Sequence, residues 1–312
     1  MLSILSILNL EVTAKKIISD TPHSTFLLHY SDASNEAWKE YYSGQTIGIT
    51  YEERNSKIEE TNNKNILIFN CEFTDLNSRV IFIKIPSFGC KCLVQYSIFK
   101  KCTLDSGNGG AILFSGGDLV ISKSYSTEMK IPLDSYGMLL YAYSDLLHNV
   151  KIDQVTTYKD GTEAVARSPS ADIFIKVFIR VTVTNINQTE NKGNVGVALY
   201  FKNIQPPPST VSYANFISNE GVGSILEFAP ADVTMEFCNF KDNKVNRGSD
   251  SNAVIRASKD KKNDKITLKH CNIMQEGGVL TSNGYFNFEK CYISGTSVKS
   301  NQDPLNSYTS IG

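Results

Sequence analysis

Four histidines, His23, His29, His148 and His270, are spread over 312 residues. Cleavage of a glycosidic bond needs two carboxylates held on either side of it. The chain has no Asp-Asp pair, no Gly-His-Gly, and no Asn-x-Asp on the segments that read as strands. Its seven cysteines include one close couple, Cys90 and Cys92, with no histidine nearby, so the spacing of a zinc site is absent. We therefore expect no metal or cofactor and assign no catalytic residue.

The residues that could do something recur instead at fixed places. Cys238, Cys271 and Cys291 fall at one place in "VTMEFCNF", "ITLKHCNI" and "FNFEKCYI". They read as small buried hydrophobes, with a bridge between neighbours geometrically conceivable. Asn185, Asn215, Asn239 and Asn272 share another place, where amides could bond to one another in a column or line a glycan-binding strip. Glu236, Lys269 and Glu289 share a third, which suits a solvated column of alternating charge. Asn187 heads the sequon "NQT", a candidate for glycosylation in a secreted chain.

These places belong to an octet written apolar, x, apolar, x, x, small, x, large apolar. It matches nine times, from Ile66, Cys92, Leu119, Val150, Ile179, Ser209, Val233, Ile266 and Phe286, at separations of 20 to 33 residues. The third position is always apolar: Ile68, Val94, Ile121, Ile152, Val181, Val211, Met235, Leu268 and Phe288. The sixth is small or a thiol in most matches, and the eighth is mostly Phe or Ile, with Ser126 and Thr157 as its weak members. Steps of two mark strands, and the step of three between them marks a corner. A further β-type run lies between octets, entered through glycine in "GGAILFS", "GMLLYAY" and "GSILEF". Three short strands per repeat, with like residues returning to like places, predict an all-β, parallel β-solenoid of about nine coils over residues 65–312. At the inter-strand spacing such a rod would be roughly 40 Å long. A leucine-rich repeat would need leucine three residues before the octet, and only Leu147 satisfies that; a β-sandwich would not return one template.

Residues 15–64 precede the repeats and hold "SDASNEAWKEYY", the best helical stretch, with the sole tryptophan, Trp38. An open solenoid end invites edge pairing, so this segment is expected to cap the first coil. Residues 1–14 carry a short apolar stretch from Leu2 to Leu10, followed by Val12 and Ala14, and suit a signal peptide. The net charge of −1, from 31 basic and 32 acidic residues, provides no field to collect nucleic acid, and apolar runs are too short for a transmembrane helix.

At "FKKCTLDSGNGGAILFS", "NFISNEGVGSILEF" and "CNFKDN" the chain resembles polymorphic outer membrane protein repeats, whose signatures are F-x-x-N and G-G-A-[ILV]. Phe216 with Asn219 and Phe240 with Asn243 match the first; Gly109 to Ile112 match the second; Cys102 replaces the asparagine after Phe99. The resemblance implies a right-handed, single-stranded β-helix of the pectate-lyase-like superfamily, secreted or at the cell surface, working as an adhesin-like scaffold that binds a glycan or protein surface. The alternative it leaves is a polysaccharide lyase or glycoside hydrolase acting on acidic glycans.

Overall fold

A computed structural model describes residues 27–85, 89–132, 135–144, 148–161, 171–176, 180–204, 208–229, 232–246, 253–257, 265–275, 279–282, 285–298 and 308–310; the expected signal peptide lies outside them. The chain divides into two units, Met1–Gln45 and Thr46–Gly312. In the first, the predicted helical stretch forms the helix Leu27–Tyr42. Trp38 is buried, packs on Tyr42, and donates its ring N–H to the Gln45 carbonyl at 2.9 Å. No helix among the described residues is long and apolar enough to cross a membrane.

The second unit is a parallel β-solenoid, as the repeat predicts. All strand pairs among the described residues are parallel, in one 18-stranded sheet that wraps two faces, one 10-stranded sheet that forms the third, and a minor 3-stranded sheet. The first half of each octet forms the first face. There Ile68 pairs with Val94, Val94 with Ile121, and Ile121 with Ile152. The second half forms the second face, where Phe73 lies over Phe99 with ring centres 5.3 Å apart, and Phe216 over Phe240 at 5.1 Å. Isoleucines, valines and phenylalanines from all three faces make one continuous core. Their removal from water supplies the main driving force.

The fifth octet residue turns the corner. Asn70, Tyr96, Lys123, Gln154, Asn185, Tyr213, Phe237, His270 and Lys290 all adopt φ between 48° and 55°. One left-handed residue between two strand segments aims the sixth residue back inward. In Asp118–Thr127 and Asn149–Tyr158 the strand runs unbroken around this corner. The glycine signature has a local cause as well. A Cβ on Gly110 would stand 2.7 Å from the Met138 carbonyl of the adjoining strand entry, so the close stack excludes any side chain there.

One expected register is corrected. Val150 pairs with Val181, and Thr182 with Thr210, so the fifth octet starts at Val181 and not at Ile179. Its third, sixth, seventh and eighth residues are thus Val183, Ile186, Asn187 and Gln188. A slip of two residues keeps every side chain on its own face, so apolar alternation does not detect it. The corner does, because Asn185 is the left-handed residue.

The corrected register reveals a polar interior. The eighth position reads Phe73, Phe99, Ser126, Thr157, Gln188, Phe216, Phe240, and all seven are fully buried. Three residues further on, Asp160, Asn191, Asn219 and Asn243 form a buried row, which Gln275, two residues after Ile273, continues. Asn191 Oδ1 accepts the N–H of Asp160 at 2.9 Å, Asn219 that of Asn191 at 3.0 Å, Asn243 that of Asn219 at 3.1 Å, and Gln275 Oε1 that of Asn243 at 2.9 Å. The amide N–H groups of Asn219 and Asn243 donate to the carbonyls of Gln188 and Phe216, each at 2.8 Å. This is the physical content of F-x-x-N: a ring in the core and an amide that saturates the bend of the preceding turn. Cys102 stands in the same place and gives its thiol to the Phe73 carbonyl at 3.5 Å.

Candidate ligand-binding surface

The corner and the second face carry the most exposed apolar side chains. Tyr213 is 58% exposed and Phe237 42%. Tyr213 stacks on Phe237 with ring centres 5.2 Å apart, and Phe237 on His270 at 5.1 Å, with planes within 9° and 12°. Further along the same row, Lys123 Nζ lies 5.3 Å from the exposed Tyr96 ring. A left-handed backbone is costly for bulky residues, and exposed rings add little to the core. A run of aromatic rings at such positions is therefore suited to contact with a partner.

Beside this corner runs the amide row. Asn187, Asn215, Asn239 and Asn272 are paired in register, and Tyr292 follows them. Asn185, expected in this row, is instead the corner residue of its turn. Asn239 Nδ2 donates to Asn215 Oδ1 at 2.8 Å. Two places further on, Thr189, Ile217, Lys241 and Met274 follow one another. The surface thus combines flat rings, amides that can both donate and accept, and the apolar Ile217, Met274 and Tyr292, a composition suited to hydroxyl-rich or mixed surfaces. Asn187, half-buried at the start of its strand, accepts the Thr189 hydroxyl at 3.2 Å.

The other predicted columns hold their places. Cys238, Cys271 and Cys291 follow one another inside, each donating to the carbonyl of its neighbouring strand: Val211 at 3.6 Å, Met235 at 3.7 Å and Leu268 at 3.3 Å. Mutual hydrogen bonding, chiefly from Cys238, and burial push the Cys271 thiol up to about 12. No disulfide joins any of the seven cysteines. Glu236, Lys269 and Glu289 lie in register, and Lys269 Nζ is 3.2 Å from Glu289.

The third face has its own outward rows. Phe82, Leu113, Tyr141, Phe174, Tyr200, Glu227 and Arg256 follow one another in register. Tyr136 packs over Phe174 and Tyr200, and Tyr141 lies flat on Phe174 at 5.0 Å. Glu227 accepts Ser224 at 3.0 Å and is ion-paired with Arg256. Burial nonetheless pushes its carboxyl up, against the pull of that arginine.

Sequence reasoning misses a pair of carboxyls that meet. Asp160 and Asp172 are both fully buried and hydrogen-bonded to each other. Asp160 accepts from Ser126 and from the Met129 N–H at 2.9 Å; Asp172 accepts from the Leu139 N–H at 3.2 Å and Gln188 at 3.0 Å. Desolvation raises both carboxyls, and the Asp172 charge raises Asp160 further. Their donors are supplied from within and neither is exposed, so the pair braces the interior and meets no substrate. Three consecutive polar residues at the eighth position, two of them followed three places later by Asp or Asn, are the signal that could find it.

No protein-family model, curated protein or solved structure matches this chain.

Proposed function

We propose that the protein is a binding or adhesion scaffold, secreted or displayed at a cell surface, that contacts a glycan or protein surface through the corner and second face. The observation that carries this is the exposed stack Tyr213, Phe237 and His270 beside the amide row Asn187, Asn215, Asn239 and Asn272. Rings with apolar faces and polar edges give contact area at small entropic cost, and adjoining amides give direction. A rigid solenoid holds both in place before any ligand arrives, which lowers the cost of binding. The few short motifs shared with polymorphic outer membrane protein repeats favour the same reading by resemblance.

Purified protein applied to printed neutral glycans and immobilised matrix proteins should show binding to at least one of them. Replacing Tyr213 and Phe237 together by alanine should weaken that binding about tenfold or more, with the melting temperature retained. Binding to nothing, or binding indifferent to both substitutions, removes the reading. The alternative, cleavage of an acidic polysaccharide, draws on Glu227, whose raised carboxyl lies near Tyr136 and Tyr200. Release of unsaturated or reducing products from a uronate polymer, lost in Glu227→Gln, would favour it instead.

A further inference from the structure

We propose that the third face of the solenoid binds an acidic polysaccharide, with Lys176 and Lys202 as its anion-binding pair. The reason begins with how this chain stacks its charges. Lys192, Glu220 and Lys244 lie in register, and Lys192 Nζ is 3.6 Å from Glu220. Glu236, Lys269 and Glu289 do the same. Lys159 reaches Glu190 at 3.6 Å. Each of these columns alternates in sign, as expected where strands stand roughly 4.8 Å apart and like charges directly opposite repel.

The outward row Lys84, Ser115, Tyr143, Lys176, Lys202 and Ala229 breaks this rule. Lys176 and Lys202 are direct partners, and among the described residues neither has an acidic one. The carboxylate on the parallel row, Glu227, is held by Arg256 and Ser224. Two half-buried lysines are thus register partners with no acidic partner among the described residues, and a ligand anion would supply the counter-charge.

The neighbouring residues select the class of anion. Tyr143 precedes Lys176 in the row, and Tyr141 lies 5.7 Å from Tyr143 on the same strand. Half-exposed phenols beside lysines offer a ring surface and hydroxyl partners for sugar hydroxyls, while the lysines take carboxylate or sulfate. A linear file repeated at the inter-strand spacing suits a polymer with charge along its length. The chain's net charge of −1 leaves no broad basic field of the kind that holds nucleic acid. This face is separate from the corner surface, so the two assignments stand or fall independently.

The test uses the full chain with three immobilised polymers: heparin for sulfate, polygalacturonate for carboxylate, and double-stranded DNA as a phosphate control. Wild type should bind heparin or polygalacturonate, more weakly as salt rises, and bind DNA less well than either. Lys176→Glu would restore sign alternation with Lys202, so the melting temperature should hold or rise while binding falls about tenfold or more. Lys202→Gln, which adds no new charge, should also lose binding and so covers the case in which Lys176→Glu disturbs folding. Tyr213→Ala with Phe237→Ala should leave retention on these polymers unchanged. Failure to bind both acidic polymers, undiminished binding by the Lys176 and Lys202 variants, or preference for DNA would overturn the assignment.

Discussion

Asn187 and Asn191, Asn215 and Asn219, Asn239 and Asn243 put the same amide at two places four residues apart on three successive turns. The outer members lie on the second face, where Asn239 gives a single hydrogen bond to Asn215 and water can replace it. The inner members are buried, and each saturates a backbone N–H of the preceding turn while spending its own N–H groups inside. Only at the inner row does removing the amide leave buried backbone groups with no partner. Residue type is therefore a poor guide to worth here; the cost of an unmet group out of reach of water decides it.

That contrast can be broken or sharpened by substitution. Asn219→Ala should give the largest effect, about 3 kcal/mol in urea unfolding, because the Asn191 N–H and the Gln188 carbonyl lose partners together. A loss comparable with that of an exposed asparagine would contradict the distinction. Asp160, which heads the inner row, adds a pH dependence. Burial and its neighbour hold its proton, and burial holds Asp172 up to about 6. Both groups are raised above their unfolded values, so the folded state binds protons that the unfolded chain releases. Stability from the pair is complete below the ordinary aspartate range near pH 4 and is lost as pH rises through about 6 and beyond. Asp160→Asn supplies the same donor to Asp172 without a titrating proton, so the fall in melting temperature between about pH 4 and 8 should flatten. An unchanged slope would show that the pair is not raised above its unfolded range.

Cys102 tests the row from its irregular end. Its thiol already makes the bond to the Phe73 carbonyl that asparagine makes further along. Cys102→Asn should be tolerated, changing stability by less than about 1 kcal/mol, with stabilisation the expected sign. Smallest of all, Asn239→Ala should cost under about 0.5 kcal/mol, since its partner is solvated. A larger loss in thermal denaturation would show that the outer row braces the fold after all.

Much of the fold is legible in the residues alone. Ile68, Val94 and Ile121 stack as the octet predicts, the cysteine column is internal, and Lys269 meets Glu289. What alternation does not reveal is a displacement by two. Read from Ile179, the fifth octet puts Ile186 at the eighth position and conceals that Gln188 joins Ser126 and Thr157 in a polar stretch of core. It likewise places Asn185, the corner residue, in the amide row that belongs to Asn187. The exposed stack Tyr213, Phe237 and His270 is hidden for a related reason: the octet leaves its fifth position unspecified, and only the repeated left-handed turn shows that these residues lie above one another.

By itself the sequence determined that the chain coils, because apolar residues at steps of two, interrupted by a step of three, can be buried together only when each turn rests on the one before. Which turn meets which residue, and therefore which asparagines brace the interior, where two aspartates meet and where two lysines pair without an acid among the described residues, was decided only in the folded solenoid. The physical reason is that inward and outward facing repeat every two residues, whereas hydrogen-bond register distinguishes every one.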